Sequence, residues 1–157
     1  MKKVIMMLAI YGLLFGCATA PQAPAEKVKD TIAANKNEVW VALSKTLTEK
    51  GFRVKTVENT SGIMQTENMG LGGKEDLKTY SNCKSAGIMR MYKDPLIYMN
   101  IMVEEIDKST TELDINAYYS ATISNAYDGS YIGKENCNTN GAMEKEIITA
   151  LKARLNK

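Results

Sequence analysis

The chain has 157 residues, with 20 Lys and Arg against 18 Asp and Glu and no histidine. That length suits one domain with a proper core. The missing histidine excludes the common zinc and iron ligand sets and any serine–histidine triad, and the near-neutral charge lacks the basic footprint of a nucleic-acid binder.

Lys2 and Lys3 open the chain, and Val4 to Phe15 is an uncharged run. At about a dozen residues it is too short to cross roughly 30 Å of hydrocarbon as a helix, and it has the length of a signal-peptide core. It ends Leu14-Phe15-Gly16-Cys17, which resembles a bacterial lipobox. The resemblance implies a signal peptide over 1–16, cleavage after Gly16, and a lipoprotein whose Cys17 carries acyl chains, palmitate among them. At about 0.8 kcal/mol per buried methylene, three such chains anchor stably. The other reading is an ordinary secretory signal cut near Ala18 or Ala20. Ala18, where an aspartate would signal inner-membrane retention, implies the periplasmic face of the outer membrane, or the outer face of the cell membrane in an organism with a single membrane. Loss of Lys2 and Lys3 leaves 18 basic against 18 acidic residues, so the mature chain is neutral.

Residues 17–30 read as the lipidated cysteine and a tether rich in alanine and proline, which in polyproline geometry reaches roughly 40 Å. Residues 31–157 read as a single domain. Asn37 to Lys50 is its clearest helix, with Val39, Trp40, Leu43 and Leu47 on one face, Asn35 or Asn37 as its cap and Gly51 as its left-handed end. Trp40 is a core anchor on this pattern, with a ligand platform as the lesser alternative. Phe52 to Val57 alternates as a half-exposed strand, Asn59 to Gly62 turns, and Ile63 to Glu67 is a second strand. Asn68 to Lys78 reads as a mobile loop, since Lys74 is followed by Glu75 and fails the phosphate-loop order.

A strand is expected near 86–92, broken by Asp94-Pro95. Leu96 to Ile106 is a strand with Ile97, Met99, Ile101 and Val103 on one face. Lys108-Ser109 turns the chain into an antiparallel partner from Thr111 to Ser124, with Leu113, Ile115, Ala117 and Tyr119 inward. Tyr127 to Asn136 is a glycine-containing loop with room for a short edge strand at Ser130 to Ile132. Asn140 to Leu155 is a second helix with Met143, Ile147, Ile148, Leu151 and Leu155 buried. Its early Glu144 and Glu146 and late Lys152 and Arg154 suit the helix dipole.

With Cys17 assigned to lipid, Cys83 and Cys137 are the only other cysteines. In an oxidising envelope compartment they are expected to join in one disulfide, against the alternative of two buried free thiols. Helix, hairpin, strands and helix in that order predict an α+β fold. Its expected form is an antiparallel sheet of four to five strands with two helices packed on one face.

The spacing of Val39-Trp40 to Leu47, Lys50-Gly51-Phe52 and Ser61-Gly62-Ile63 to Thr66 resembles the helix-grip domains of outer-membrane lipoproteins, among them the C-subunit lipoprotein of the β-barrel assembly machinery. Cys137 to Glu144 resembles other small lipoproteins and departs from that subunit. The resemblance implies a helix-grip-like fold.

No catalytic constellation is readable. Glu104 and Glu105 are neighbours on a strand and point to opposite faces. Asp114 or Glu112 as a general base is the residual enzymatic reading, against solvated strand faces. The chain is therefore expected not to be an enzyme and to need no cofactor. Tyr92, Tyr98, Tyr118, Tyr127 and Tyr131 suggest a ligand rim or half-buried packing. Met89, Met91, Met99 and Met102 suggest an adaptable groove or core. The expected function is a lipid-anchored envelope protein acting as a protein-interaction or assembly module, its partners being the membrane, through the anchor, and envelope proteins. A periplasmic small-ligand-binding lipoprotein is the alternative. An apolar groove between helices and sheet favours the ligand binder. A closed core with a free edge strand favours the interaction module.

Overall fold

A computed structural model describes residues 27–83 and 86–156. Along the chain the elements are β1 (Val28–Ile32), α1 (Lys36–Glu49), β2 (Val54–Glu58), β3 (Ile63–Thr66), β4 (Met69–Gly70), α2 (Lys74–Tyr80), β5 (Arg90–Asp107), β6 (Thr110–Asn125), β7 (Tyr131–Asn138) and α3 (Ala142–Leu155). The expected signal peptide, Cys17 and most of the tether lie outside the described residues.

The architecture is α+β, with one antiparallel sheet of seven strands, three helices and one disulfide. The expectation of four to five strands and two helices was too small, because the flanks of the sheet are built from short pieces. The long hairpin β5–β6 is its spine. One half of the spine is flanked by β1 on β6 and by β3 then β2 on β5; the other half is flanked by β7 on β6 and β4 on β5.

Burial alternates along both spine strands as a half-covered sheet demands. Ile97, Met99, Ile101 and Val103 on β5, and Leu113, Ile115, Ala117 and Tyr119 on β6, are buried. The helices lie on that side. Helix α1 buries Val39, Trp40, Leu43 and Leu47, and α3 buries Met143, Ile147, Ile148 and Leu151. Each fully buried Leu or Ile contributes about 1.5–3 kcal/mol. Trp40 is core, in line with its expected role as an anchor.

Local signals set the ends of α1. The Asn35 side chain accepts from the Glu38 amide at 3.0 Å and Glu38 reaches back to the Asn35 amide, a capping box. Gly51 follows with φ +86°, and Phe52 N–H closes onto Leu47 at 2.9 Å. Lys50–Glu146 and Arg154–Glu49 ion pairs join α1 to α3, and the Tyr80 hydroxyl donates to Glu146 from α2 at 3.1 Å.

Five sequence expectations change. Strand β1 begins at Val28, inside the segment read as tether, because Val28 and Ile32 drop into the core while Lys29 and Thr31 face out. The expected mobile loop holds β4 and α2. Leu77 is the one buried residue of α2, so no periodicity announced the helix. Asp94-Pro95 does not break the strand: both residues sit opposite Ala121 as a bulge, with Asp94 at φ +48°, and pairing resumes at Leu96. The strand before the bulge starts at Arg90, later than expected. The short edge strand expected at 130–132 is the longer β7.

The disulfide joins Cys83 to Cys137, across 54 residues and a Cα separation of 5.0 Å. It ties the segment after α2 to the end of β7, just ahead of α3. Among the described residues no helix is long and apolar enough to cross a membrane.

Candidate functional site

The layer between helices and sheet is filled. Leu43, Leu47, Met99, Ile147 and Leu151 are fully inaccessible there. The side chains available for function are therefore on the other face of the spine, where nothing among the described residues packs, and at the edges and ends of the sheet.

The alternate residues of β5 and β6 make that open face. Tyr98 and Tyr118 are cross-strand partners, and their rings stack with centroids 4.9 Å apart and planes 11° apart. Both stay substantially exposed, at 39 % and 42 %, and Met102 beside them is at 47 %. Asn100 faces Asn116 across the hairpin. Beyond Tyr98 and Asn100, Lys55, Gln65 and Asn68 border a shallow, polar depression of about 350 Å³. An open polar depression of this kind is unlike the apolar clefts that hold small molecules. The face ends at β2, whose outer edge pairs with no other described strand; its Val57 is exposed and stands opposite buried Met64, on the helix side of the edge.

Glu112 and Asp114 on this face are ion-paired. Lys29 Nζ lies 2.8 Å from Glu112 and 3.6 Å from Asp114, and Asn116 donates to Asp114 at 2.7 Å. The hydrogen bond Lys29 donates to Glu112, with the charges of both acids, raises the Lys29 pKa. Glu104 and Glu105 pair with Glu112 and Thr111 in successive rungs, so they point to opposite faces, as expected. Among the described residues, no group of three or more His, Cys, Asp or Glu is placed to hold a metal ion.

The five tyrosines are not one cluster. Tyr98 and Tyr118 share the open face. Tyr92 is on the helix side and donates to Glu135 at 2.7 Å. Burial, then that bond, pushes its phenol above the usual range. Tyr127 and Tyr131 are exposed at the open end of the hairpin. The methionines scatter likewise: Met99 is core, Met102 is on the open face, and Met89 is at the open end.

Two polar side chains, those of Glu144 and Thr66, hold the spine. The flank of β6 is interrupted between β1, which ends its pairing at Ile115, and β7, which begins at Tyr118. The Ala117 amide in that gap donates to the Glu144 carboxylate at 3.0 Å, and Thr139 donates to the same carboxylate at 2.9 Å. Glu144 is completely buried. The flank of β5 is interrupted between β3 and β4, and there the Met99 amide donates to the Thr66 hydroxyl at 2.9 Å. Met99 and Ala117 face each other across the hairpin. At one level of the sheet, a side chain on each flank replaces a missing strand. Tyr119 lies beside this group. Burial and the Glu144 charge push its phenol far up, and its hydroxyl makes no hydrogen bond of good geometry.

A second depression, of about 330 Å³, lies beside α2 and is lined by Lys74, Lys78, Cys83, Arg90, Met91 and Tyr92.

No protein-family model matches the sequence, and no curated protein matches it. Nine chains of solved structures do match. One is the adenylate sensor from AMP-activated protein kinase, in complex with a ribofuranotide, at 12 % identity and a TM-score of 0.42, covering 82 % of this chain and 94 % of that one. Nothing about this chain follows from a likeness of that size.

Proposed function

We propose that the chain is a lipid-anchored envelope protein whose domain serves as a protein-interaction or assembly module. The observation that carries the reading is a filled helix–sheet interface combined with an uncovered sheet face that runs out to an unpaired edge at β2. An open edge offers main-chain donors and acceptors to a partner strand, and the adjoining face, with its stacked tyrosines and Met102, offers side-chain selectivity. Lys55 and the register shift beside it keep that edge from pairing indiscriminately. The lipobox-like Leu14-Phe15-Gly16-Cys17 supplies the anchor. The helix-grip resemblance of the first hairpin agrees with helices on one face of an antiparallel sheet. An apolar groove between helices and sheet would favour the small-ligand alternative, whereas that interface is packed with inaccessible side chains.

The test is photo-crosslinking in intact cells from position 57, on the edge, with position 41 on the outer face of α1 as the comparison. A discrete adduct with one envelope protein from Val57, absent from Val41, is the expected result. Identical adducts from both positions, or none from Val57, would reject the module.

A further inference from the structure

We propose that the end of the sheet carrying Ile88, Met89 and Tyr127 rests in the surface of the membrane that holds the chain's own lipid. The proposal deepens the anchored-module reading and rests on it for the role of the tether.

The first ground is where the apolar surface is. Of the large exposed apolar residues, the three most accessible are Ile88, which is fully exposed, Tyr127 at 82 % and Tyr131 at 70 %. All three lie at one end of the spine, together with Met89. The Ala126 amide donates to the Met89 carbonyl at 3.0 Å, and Tyr131 pairs with Ser124. Large apolar side chains left bare in a group mark a contact surface, and tyrosine, apolar in body and polar at its tip, suits a membrane interface.

The second ground is charge. Lys74, Lys78 and Arg90 line the depression beside this end. Lys78 pairs with Glu75 at 3.2 Å, and Asp76 accepts the Gly72 amide. Lys74 and Arg90 have no ion-pair partner among the described residues, so their donors remain available to phosphate headgroups. The opposite end of the spine, at the Asp107–Thr110 turn, has exposed apolar residues too, Val57 and Ile106, but they stand among Glu58, Glu104, Glu105 and Asp107. Lys36 and Lys108 stand there too, but the four acids outnumber them, which disfavours a phosphate-rich surface.

The third ground is the tether. Strand β1 is antiparallel to β6 with Val28 opposite Ile115, so its N-terminal end points toward the Asn125 end of β6. Ile115 to Asn125 spans about 33 Å of strand. The ten residues between Cys17 and Val28 reach about 31 Å when extended. A tether of that reach is long enough to bring the anchor level with the apolar end.

The test places a diazirine-bearing residue at 88 or 127 of the full chain in native membranes, with 57 and 106 as controls, and identifies adducts by mass spectrometry. Phospholipid adducts at 88 and 127 should exceed those at 57 and 106 by at least about tenfold, because only side chains at headgroup depth meet lipid. Adducts with a protein at 88 and 127, equal lipid labelling at all four positions, or no adducts at 88 and 127 would each overturn the proposal. The mass of the N-terminal peptide separates this from the anchor reading. An acylated Cys17 without lipid adducts defeats the insertion alone, and lipid adducts on an unacylated chain defeat the anchor alone. Ile88→Asn with Tyr127→Asn, both exposed and so harmless to folding, should abolish lipid labelling from a probe at Met89; retained labelling counts against the proposal.

Discussion

The two faces of the same hairpin differ in everything but their backbone. On the helix side, Ile97 to Val103 of β5 and Leu113 to Tyr119 of β6 present side chains that are almost wholly inaccessible, and the Glu144 carboxylate there is completely buried and hydrogen-bonded. On the open side the same strands present stacked tyrosines, asparagines and ion-paired acids that remain half exposed. The contrast teaches that stability resides mainly on one face, which leaves the side chains of the other free to vary. A substitution on the open face should alter contacts without altering the fold, and one on the covered face should do the reverse.

The largest test of that division is the disulfide, whose Cys137 lies on the covered side. Replacing Cys83 and Cys137 with alanine should cost about 4 kcal/mol by the chain-entropy relation for a loop of this length, read as a fall in the denaturant midpoint. Leu43→Ala should follow, at about 3 kcal/mol, as truncation of a wholly buried leucine leaves a cavity; a change below a few tenths would break the comparison. Glu144→Gln should cost about 1.5–3 kcal/mol, the range for hydrogen bonds to a charged group, and should speed amide exchange at Ala117 specifically. Tyr98→Ala on the open face should cost only about 0.5–1.5 kcal/mol, the worth of an aromatic pair beyond its area, while changing the crosslinks made from the β2 edge.

Tyr119→Phe sharpens the comparison at its smallest scale. The buried hydroxyl makes no good hydrogen bond, so the substitution should be close to neutral at pH 7. The phenol's pKa is raised in the fold, which keeps it protonated where the unfolded chain ionises. Its contribution is therefore intact below about pH 10 and is lost as pH rises past that value. Denaturant midpoints at pH 8 and pH 11 should fall less in the phenylalanine variant than in the parent chain.

Periodicity made the helices and the spine legible. Val39, Trp40, Leu43 and Leu47, the alternation from Ile97 to Val103, and that from Leu113 to Tyr119 each lie where their spacing put them. The cysteine pair was legible from parity. What escaped were elements whose side chains carry little pattern: β4 with two residues, α2 with one buried leucine, and β1 hidden at the end of an alanine and proline stretch. Pro95 misled for a different reason, since a bulge accommodates a proline that a regular rung cannot. Glu144 had a readable signal that went unused. It stands four residues before Ile148 and seven before Leu151, on the buried stripe of its helix, where a solvated acid does not belong. Thr66 had none. The open face was visible as alternation, but which tyrosines would meet depended on the register of the hairpin, and no residue of the sequence declares that.

The interrupted flanks at Met99 and Ala117 bear on how the native protein opens. Because no flanking strand crosses that level, the halves of the sheet on either side are joined within the sheet only by the spine, and the helix layer bridges them on the covered face through one shared core. The half with β4 and β7 is cross-linked through Cys137 and the half with β1, β2 and β3 is not. Native-state exchange should therefore be faster in the edge strands β2 and β3 than at the end of β7, which the disulfide fixes, so that the β2 edge opens while the end bearing Tyr127 stays folded.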